Sequence, residues 1–270
     1  MAKVMDGHEV IVSLVERPER AGLIMDFDGT LAAVVDDPGE SRLVAGTAEV
    51  IADLAGAFAV VALVSGRPVQ FLAERAEVPG VALLGAYGVE TQRDGQRHVL
   101  PEVEPFRATV AQASAQLHRR FDGSPGTEGI RVEDKGLAVA VHWRQATDEP
   151  VARHLVQDAI AELVASTGLH REPGKLVEEL RPPVHEDKGT AVRRLIQQGA
   201  LERVAYAGDD LGDVPALLAV TELGGHALVV AHGPETSPAV TAAAHVVFDG
   251  VEDFAAWLRA LRDALARPPS

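Results

Sequence analysis

Asp26-Phe27-Asp28-Gly29-Thr30-Leu31 sets two carboxylates two residues apart at the end of an apolar run, residues 22–25. Carboxylates so spaced at a strand end can both approach one hard cation. Gly29 and Thr30 open a turn whose backbone N–H groups can hold phosphate oxygens. A carboxylate such as Asp26 can attack phosphorus in line and form an aspartyl-phosphate that water later hydrolyses. The other, Asp28, can protonate the leaving oxygen and then deprotonate the water. The bland alternative, a plain Asp-Gly turn, suits the dipeptide but not the hexapeptide in its strand context.

Three further segments offer matching chemistry. Ser65-Gly66-Arg67 ends another apolar run and offers a hydroxyl and a backbone donor to one phosphate oxygen. Asp187-Lys188-Gly189 opens a helical segment, where Lys188 can balance gathered negative charge; the structural reading is an Asp187 N-cap with an exposed Lys. Gly208-Asp209-Asp210-Leu211-Gly212-Asp213 crowds three carboxylates into five residues, which repel one another unless a cation gathers them. Asp210 also suits an N-cap before Leu211.

These segments need elements that hold them. Apolar runs at 22–25, 60–64, 81–84, 204–207, 227–230 and 246–248 each end in a polar turn, the pattern of strands buried on both faces of a parallel sheet. Helical periodicity at 47–57, at 189–198 and from Phe254 to Leu265 separates or follows them. Alternating strand and helix predicts a doubly wound, Rossmann-like α/β domain, with ligands beyond the carboxyl ends of the strands. The middle differs: a helix over 101–121, two strands over 130–144 around Lys135-Gly136, a helix over 151–166, and a hairpin over 169–180 around Pro173-Gly174. This predicts an α+β domain at 101–184, inserted between core segments 1–100 and 185–270.

The 270 residues are 47% hydrophobic, enough for a full core, and include no Cys, which excludes disulfides, thiolate metal sites and cysteine catalysis. The formal net charge of −15, with no Lys/Arg cluster, argues against nucleic-acid binding. Asp6, His8 and Glu9 interrupt any apolar leader, and no run approaches the ~20 apolar residues of a membrane span, so a cytoplasmic protein with no membrane contact is expected.

Taken in order, the four segments resemble the motifs of the haloacid-dehalogenase-type phosphatase superfamily: D-x-D-G-T, a Ser/Thr strand end, a Lys and an acidic pair. The resemblance implies Asp26 as nucleophile, Asp28 as general acid/base, and Lys188 as the catalytic cation. It implies a phosphate site built from Asp28, Gly29, Thr30, Ser65, Gly66 and Lys188. Mg²⁺ would be held by Asp26, the Asp28 carbonyl and Asp209, with Asp213 in or just behind that shell. The insertion matches the superfamily's larger α+β cap.

Over about residues 21 to 250 the chain most resembles trehalose-6-phosphate phosphatases. The segments are Ser65-Gly66-Arg67, Gly85-Ala86-Tyr87-Gly88-Val89-Glu90, Val132-Glu133-Asp134-Lys135-Gly136, His142-Trp143-Arg144, Gly174-Lys175, Glu179-Leu180-Arg181-Pro182 and Asp187-Lys188-Gly189. The resemblance implies a sugar-phosphate substrate, held by Arg67 and by Glu133, Lys135, Arg144, Lys175 and Glu179 of the insertion. Tyr87 stands where the family commonly has His or Asn, and Gly212-Asp213-Val214 where it has Thr-Asp-Glu. A phosphatase of a trehalose-like pseudodisaccharide phosphate, or a phosphosugar mutase, would keep the same core. An inactive sugar-binding module would lack Asp26 or Asp28, and a dinucleotide-dependent oxidoreductase lacks support because no Gly-x-Gly-x-x-Gly follows the first strand.

Overall fold

All six apolar runs become strands of one sheet in a computed structural model that describes residues 5–35, 38–76, 78–174 and 176–266. The chain begins with α1 (Gly7–Val15), β1 (Ala21–Met25), α2 (Thr47–Ala57), β2 (Val60–Val64), α3 (Val69–Ala76) and β3 (Val81–Gly85). β4 (Glu90–Arg93) and β5 (Gln96–Val99) come next. The middle comprises α4 (Arg107–Phe121), β6 (Arg131–Asp134), β7 (Val139–His142), α5 (Glu149–Thr167), β8 (His170–Gly174) and β9 (Val177–Arg181). The remainder runs α6 (Lys188–Gly199), β10 (Arg203–Gly208), α7 (Val214–Glu222), β11 (His226–Ala231), α8 (Pro238–Ala242), β12 (Val246–Asp249) and α9 (Gly250–Leu265). Internal contacts divide the chain into two units, residues 1–98 with 186–270, and residues 99–185.

In the first unit the sheet order is β12-β11-β10-β1-β2-β3-β4-β5. Neighbours from β12 to β3 are parallel, and β4 runs antiparallel to β3. Successive residues of a strand point to opposite faces, and helices cover both. Leu23, Met25, Leu63 and Leu228 pack with Leu14 of α1, Leu54 of α2 and Leu258 of α9. Ile24, Ala62, Tyr206 and Val229 pack with Val192 of α6 and Leu217 of α7. Burial on both sides is why each run reads as unbroken apolar sequence rather than as alternation. The strand order reverses between β1 and β10, so their carboxyl ends flank the crevice where such sheets bind ligands. Among the described residues no helix is long and apolar enough to cross a membrane.

The second unit is an antiparallel sheet, β6-β7-β9-β8. One face buries Val132, Val139, Val141 and Leu180 against Val110 and Leu117 of α4 and Val156 and Ile160 of α5. Strand register sets Glu133, Ala140, Glu179 and Glu172 side by side, so they share the opposite face.

Two of the local departures from the sequence reading have a clear physical cause. The helix expected over 101–121 begins at Arg107, after a 3₁₀ turn over Glu104–Phe106. Pro105 has no N–H and disfavours α geometry in the residue before it, so helix cannot propagate back through it. The hairpin expected to turn at Pro173-Gly174 instead keeps both residues in β8 and reverses before Val177. β8 is an edge strand, where a missing N–H costs no ladder bond.

Candidate active site

Asp26 follows β1 directly, and its amide donates to the carbonyl of Ala207 on β10 at 2.9 Å, which pins the two strand ends together. The chain then folds tightly, with the amides of Leu31 and Ala32 both donating to the Phe27 carbonyl at 3.0 Å. Gly29 sits at φ +78°, and a Cβ there would lie 2.1 Å from Asp209 Oδ2. Only glycine combines this left-handed turn with so close an approach of the acidic loop. Gly208 serves the same end, since a Cβ on it would meet Asp213 Cγ at 2.3 Å.

Lys188 is the first residue of α6, whose N-cap is Asp187 in a capping box with Thr190. Its ammonium is buried and lies 2.8 Å from Asp26 Oδ1 and 2.7 Å from Asp213 Oδ1. Asp213, fully buried, also accepts from the Tyr206 hydroxyl on Oδ1 and from the amides of Asp209 (2.9 Å) and Asp210 (3.1 Å) on Oδ2. Four donors thus converge on one carboxylate, and a carboxylate has about four lone-pair sites to offer. Asp210 caps the short turn over Leu211–Asp213, taking the Gly212 amide at 2.8 Å.

The electrostatics follow from crowding. Burial, then the neighbouring Asp213 and Asp209, push the Asp26 carboxyl well above the usual range, against the pull of Lys188. Asp209 is pushed up to about 7, chiefly by burial and then by Asp213 and Asp210. Burial works against the Lys188 charge, yet the Asp213 and Asp26 carboxylates outweigh it and hold the ammonium above its ordinary value. Burial likewise opposes ionisation of Asp213, but Lys188 and the Tyr206 hydroxyl overcome it, so its carboxyl lies below the usual range. One ammonium therefore faces more carboxylates than it can neutralise. Asp26, Asp209 and Asp213 each offer an oxygen within 4.8 Å of the others, a hard donor set that fits an oxygen-preferring dication.

The remaining motif residues surround this core. Asp28 is held by a bidentate pair with Arg67 (Nε to Oδ2 at 2.8 Å, a second nitrogen to Oδ1 at 3.2 Å) and by the Ser41 hydroxyl at 2.8 Å. The Arg67 guanidinium lies over Phe71, 4.6 Å from the ring centre. Ser65, buried after β2, accepts the Arg67 amide at 3.2 Å, and Gly66 passes beneath the Tyr87 ring. Thr30 Oγ1 lies 3.5 Å from Asp209 Oδ1, at the limit of a hydrogen bond. A cleft of about 570 Å³ opens beside Asp209 and Asp210, lined also by Val34, Leu211, His232 and Thr236. Ser41, Tyr206 and His232 contact these residues yet carry no motif; their approach is tertiary and leaves no local sequence signal.

In the second unit Lys135 Nζ donates to Glu179 at 2.6 Å, and His142 lies 2.9 Å from Glu133. Arg144 is exposed just beyond β7, and Lys175 lies outside the described residues.

The Asp209 carboxyl predicts a stability trend with pH. Its folded value, about 7, lies above its ordinary 3.8. A raised carboxyl contributes stability that is full below the ordinary value and lost as pH rises through the folded one. In divalent-free buffer the urea midpoint should therefore fall from pH 5 to pH 7.5. Asp209→Asn should flatten that part of the slope; an unchanged slope in the variant would refute the assignment.

Comparison with known proteins gives a consistent result. The family model described as Trehalose-phosphatase matches residues 24–243. A trehalose-phosphate phosphatase of Mycobacterium marinum is 34% identical over 229 residues, covering 83% of this chain and 57% of that protein. One from Mycobacterium leprae is 35% identical over 236 residues, covering 82% and 53%. The chain thus spans just over half the length of these curated relatives. A crystal structure described as a trehalose-6-phosphate phosphatase related protein matches in fold with TM-score 0.74 at 23% identity, covering 90% of this chain and 97% of that one.

Proposed function

The chain belongs to the trehalose-phosphatase family, and on that premise we propose that it hydrolyses trehalose 6-phosphate to trehalose and phosphate. The observation that carries this reading is Asp26: a buried carboxylate at a strand end, 2.8 Å from a buried ammonium and beside a second acidic loop.

A carboxylate oxygen of Asp26 attacks phosphorus, forming the Asp26–O–P bond as the bond from phosphorus to the sugar oxygen breaks. Asp28 gives its proton to that oxygen. It then takes a proton from the water that attacks phosphorus and cleaves the aspartyl-phosphate, which restores Asp26 and releases phosphate. Lys188, the Ser65 hydroxyl, the Gly66 amide and the amides of Gly29 and Thr30 hold the phosphoryl oxygens. An incoming phosphoryl dianion would compete with Asp28 for Arg67, leaving that carboxyl free to face the leaving oxygen. Asp26, the Asp28 carbonyl and Asp209 would hold Mg²⁺, which supplies positive charge against the repulsion between phosphoryl oxygens and the carboxylates. Asp213, with its oxygens already committed to four donors, would stand behind that shell. Glu133, Lys135, Arg144, Lys175 and Glu179 would supply donors and acceptors for sugar hydroxyls.

Assays should show phosphate release from trehalose 6-phosphate at a kcat/KM at least about tenfold above that for glucose 6-phosphate, sucrose phosphate or a pseudodisaccharide phosphate. Release should stop with a chelator and return with Mg²⁺. Equal kcat/KM across the panel would remove the substrate assignment, and activity under full chelation would remove the metal.

A further inference from the structure

His232 lies on the loop after β11, two strands from β1 in the sheet, yet its side chain reaches across the β10 loop to the turn after β1. Its Nε2 is 2.8 Å from the Gly29 carbonyl oxygen and 3.6 Å from Asp209 Oδ2. A carbonyl oxygen can only accept, so Nε2 carries the hydrogen and donates it. The loop that carries the ring is braced: the His232 amide donates to Thr236 Oγ1 at 2.6 Å, and the loop closes on itself through Glu235 N to His232 O and Thr236 N to Gly233 O, both 3.3 Å. The side chain is about one-quarter exposed and faces the cleft that Asp209 and Asp210 line.

We propose that His232 is a positioning residue of the active site, acting through the two groups it touches. By holding the Gly29 carbonyl it fixes the Gly29–Thr30 peptide, the unit next along the chain from the Asp28 carbonyl, and so limits how the turn carrying that carbonyl can rotate. With that hydrogen given to Gly29, the ring edge still stands 3.6 Å from Asp209 Oδ2 and limits how that carboxylate can turn, its other oxygen facing Thr30. One ring therefore couples two of the three groups assigned to the cation, from a strand that carries no motif. The inference rests on the reading of Asp26, Asp28 and Asp209 as a cation site. Partners that orient metal ligands without touching the metal are each worth roughly 10- to 100-fold in metal affinity.

The test is calorimetric titration of Mg²⁺ into wild type, His232→Ala and His232→Gln, with steady-state kinetics and melting temperatures alongside. His232→Ala should weaken Mg²⁺ binding about tenfold or more and lower kcat at saturating Mg²⁺, with little change in KM for the sugar phosphate. His232→Gln places an amide donor near the Nε2 position and should recover most of the affinity. A purely structural tie would instead lower the melting temperature and leave Mg²⁺ affinity unchanged. Equal affinities in wild type and His232→Ala would overturn this inference alone. No Mg²⁺ binding in wild type would overturn the cation site and this inference with it. Failure of His232→Gln to recover would show that the ring, not its donor, matters, and would overturn the positioning role. If His232→Ala does not fold, His232→Leu fills the same space without a donor and carries the same comparison.

Discussion

Asp26→Asn is expected to abolish phosphate release, with kcat lower by on the order of 10⁴-fold or more, while the protein stays folded. The amide is nearly isosteric with the carboxylate but has no anionic oxygen to attack phosphorus. Its effect on stability should be small, because Lys188 keeps its 2.7 Å bond to Asp213, and because Asp26 is strained as a buried anion, with its carboxyl held above the usual range by burial and by Asp213 and Asp209. Removing that charge even relieves repulsion in divalent-free buffer. Turnover measured by released phosphate, with circular dichroism as the folding control, decides the point. Near-normal kcat in a folded Asp26→Asn variant would mean that the nucleophile lies elsewhere.

Lys188→Ala should be damaging in two ways. The ammonium is the buried cation between Asp26 and Asp213, and its loss leaves both carboxylates facing each other without compensation. Breaking a buried ion pair from one side costs about 3–5 kcal/mol, a large share of a typical domain's stability. Activity should fall by several hundredfold or more even at temperatures where the variant remains folded, since a charge-stabilising donor is lost where negative charge develops. Lys188→Met keeps the packing volume but not the charge, so it should remain destabilised, as Lys188→Ala is, and remain nearly inactive at temperatures where it is folded. A folded Lys188→Met variant with near-normal kcat would refute the catalytic role of Lys188. The contrast with Asp26→Asn is informative: the same ion pair is broken in each, but only the lysine variant strands buried negative charge.

Much of the core was legible from sequence because its strands are buried on both faces. A run such as 60–64 has no polar residue to blur its bounds, and it forms β2 over those residues. The second unit was harder to read. Its helix and hairpin boundaries depended on Pro105 and on the edge position of β8, and strand order is not written in any local pattern. Arg67 illustrates the same limit. The family resemblance marks it as a ligand for substrate, but only the fold brings its guanidinium onto Asp28 and over Phe71.

The sequence by itself determined which chemistry was possible: carboxylates at two strand ends, a hydroxyl at a third, and a lysine at a helix start. Those pairings of residue type with turn are encoded by consecutive residues, so short-range backbone physics reads them out. Only the tertiary structure decided which groups meet. That Lys188 bridges Asp26 and Asp213, that Tyr206 and two backbone amides occupy Asp213, and that His232 reaches Gly29 all depend on β10 lying beside β1 with β11 next to it. Sheet order is settled by packing of the whole apolar core on both faces, and no local stretch of sequence carries that energy.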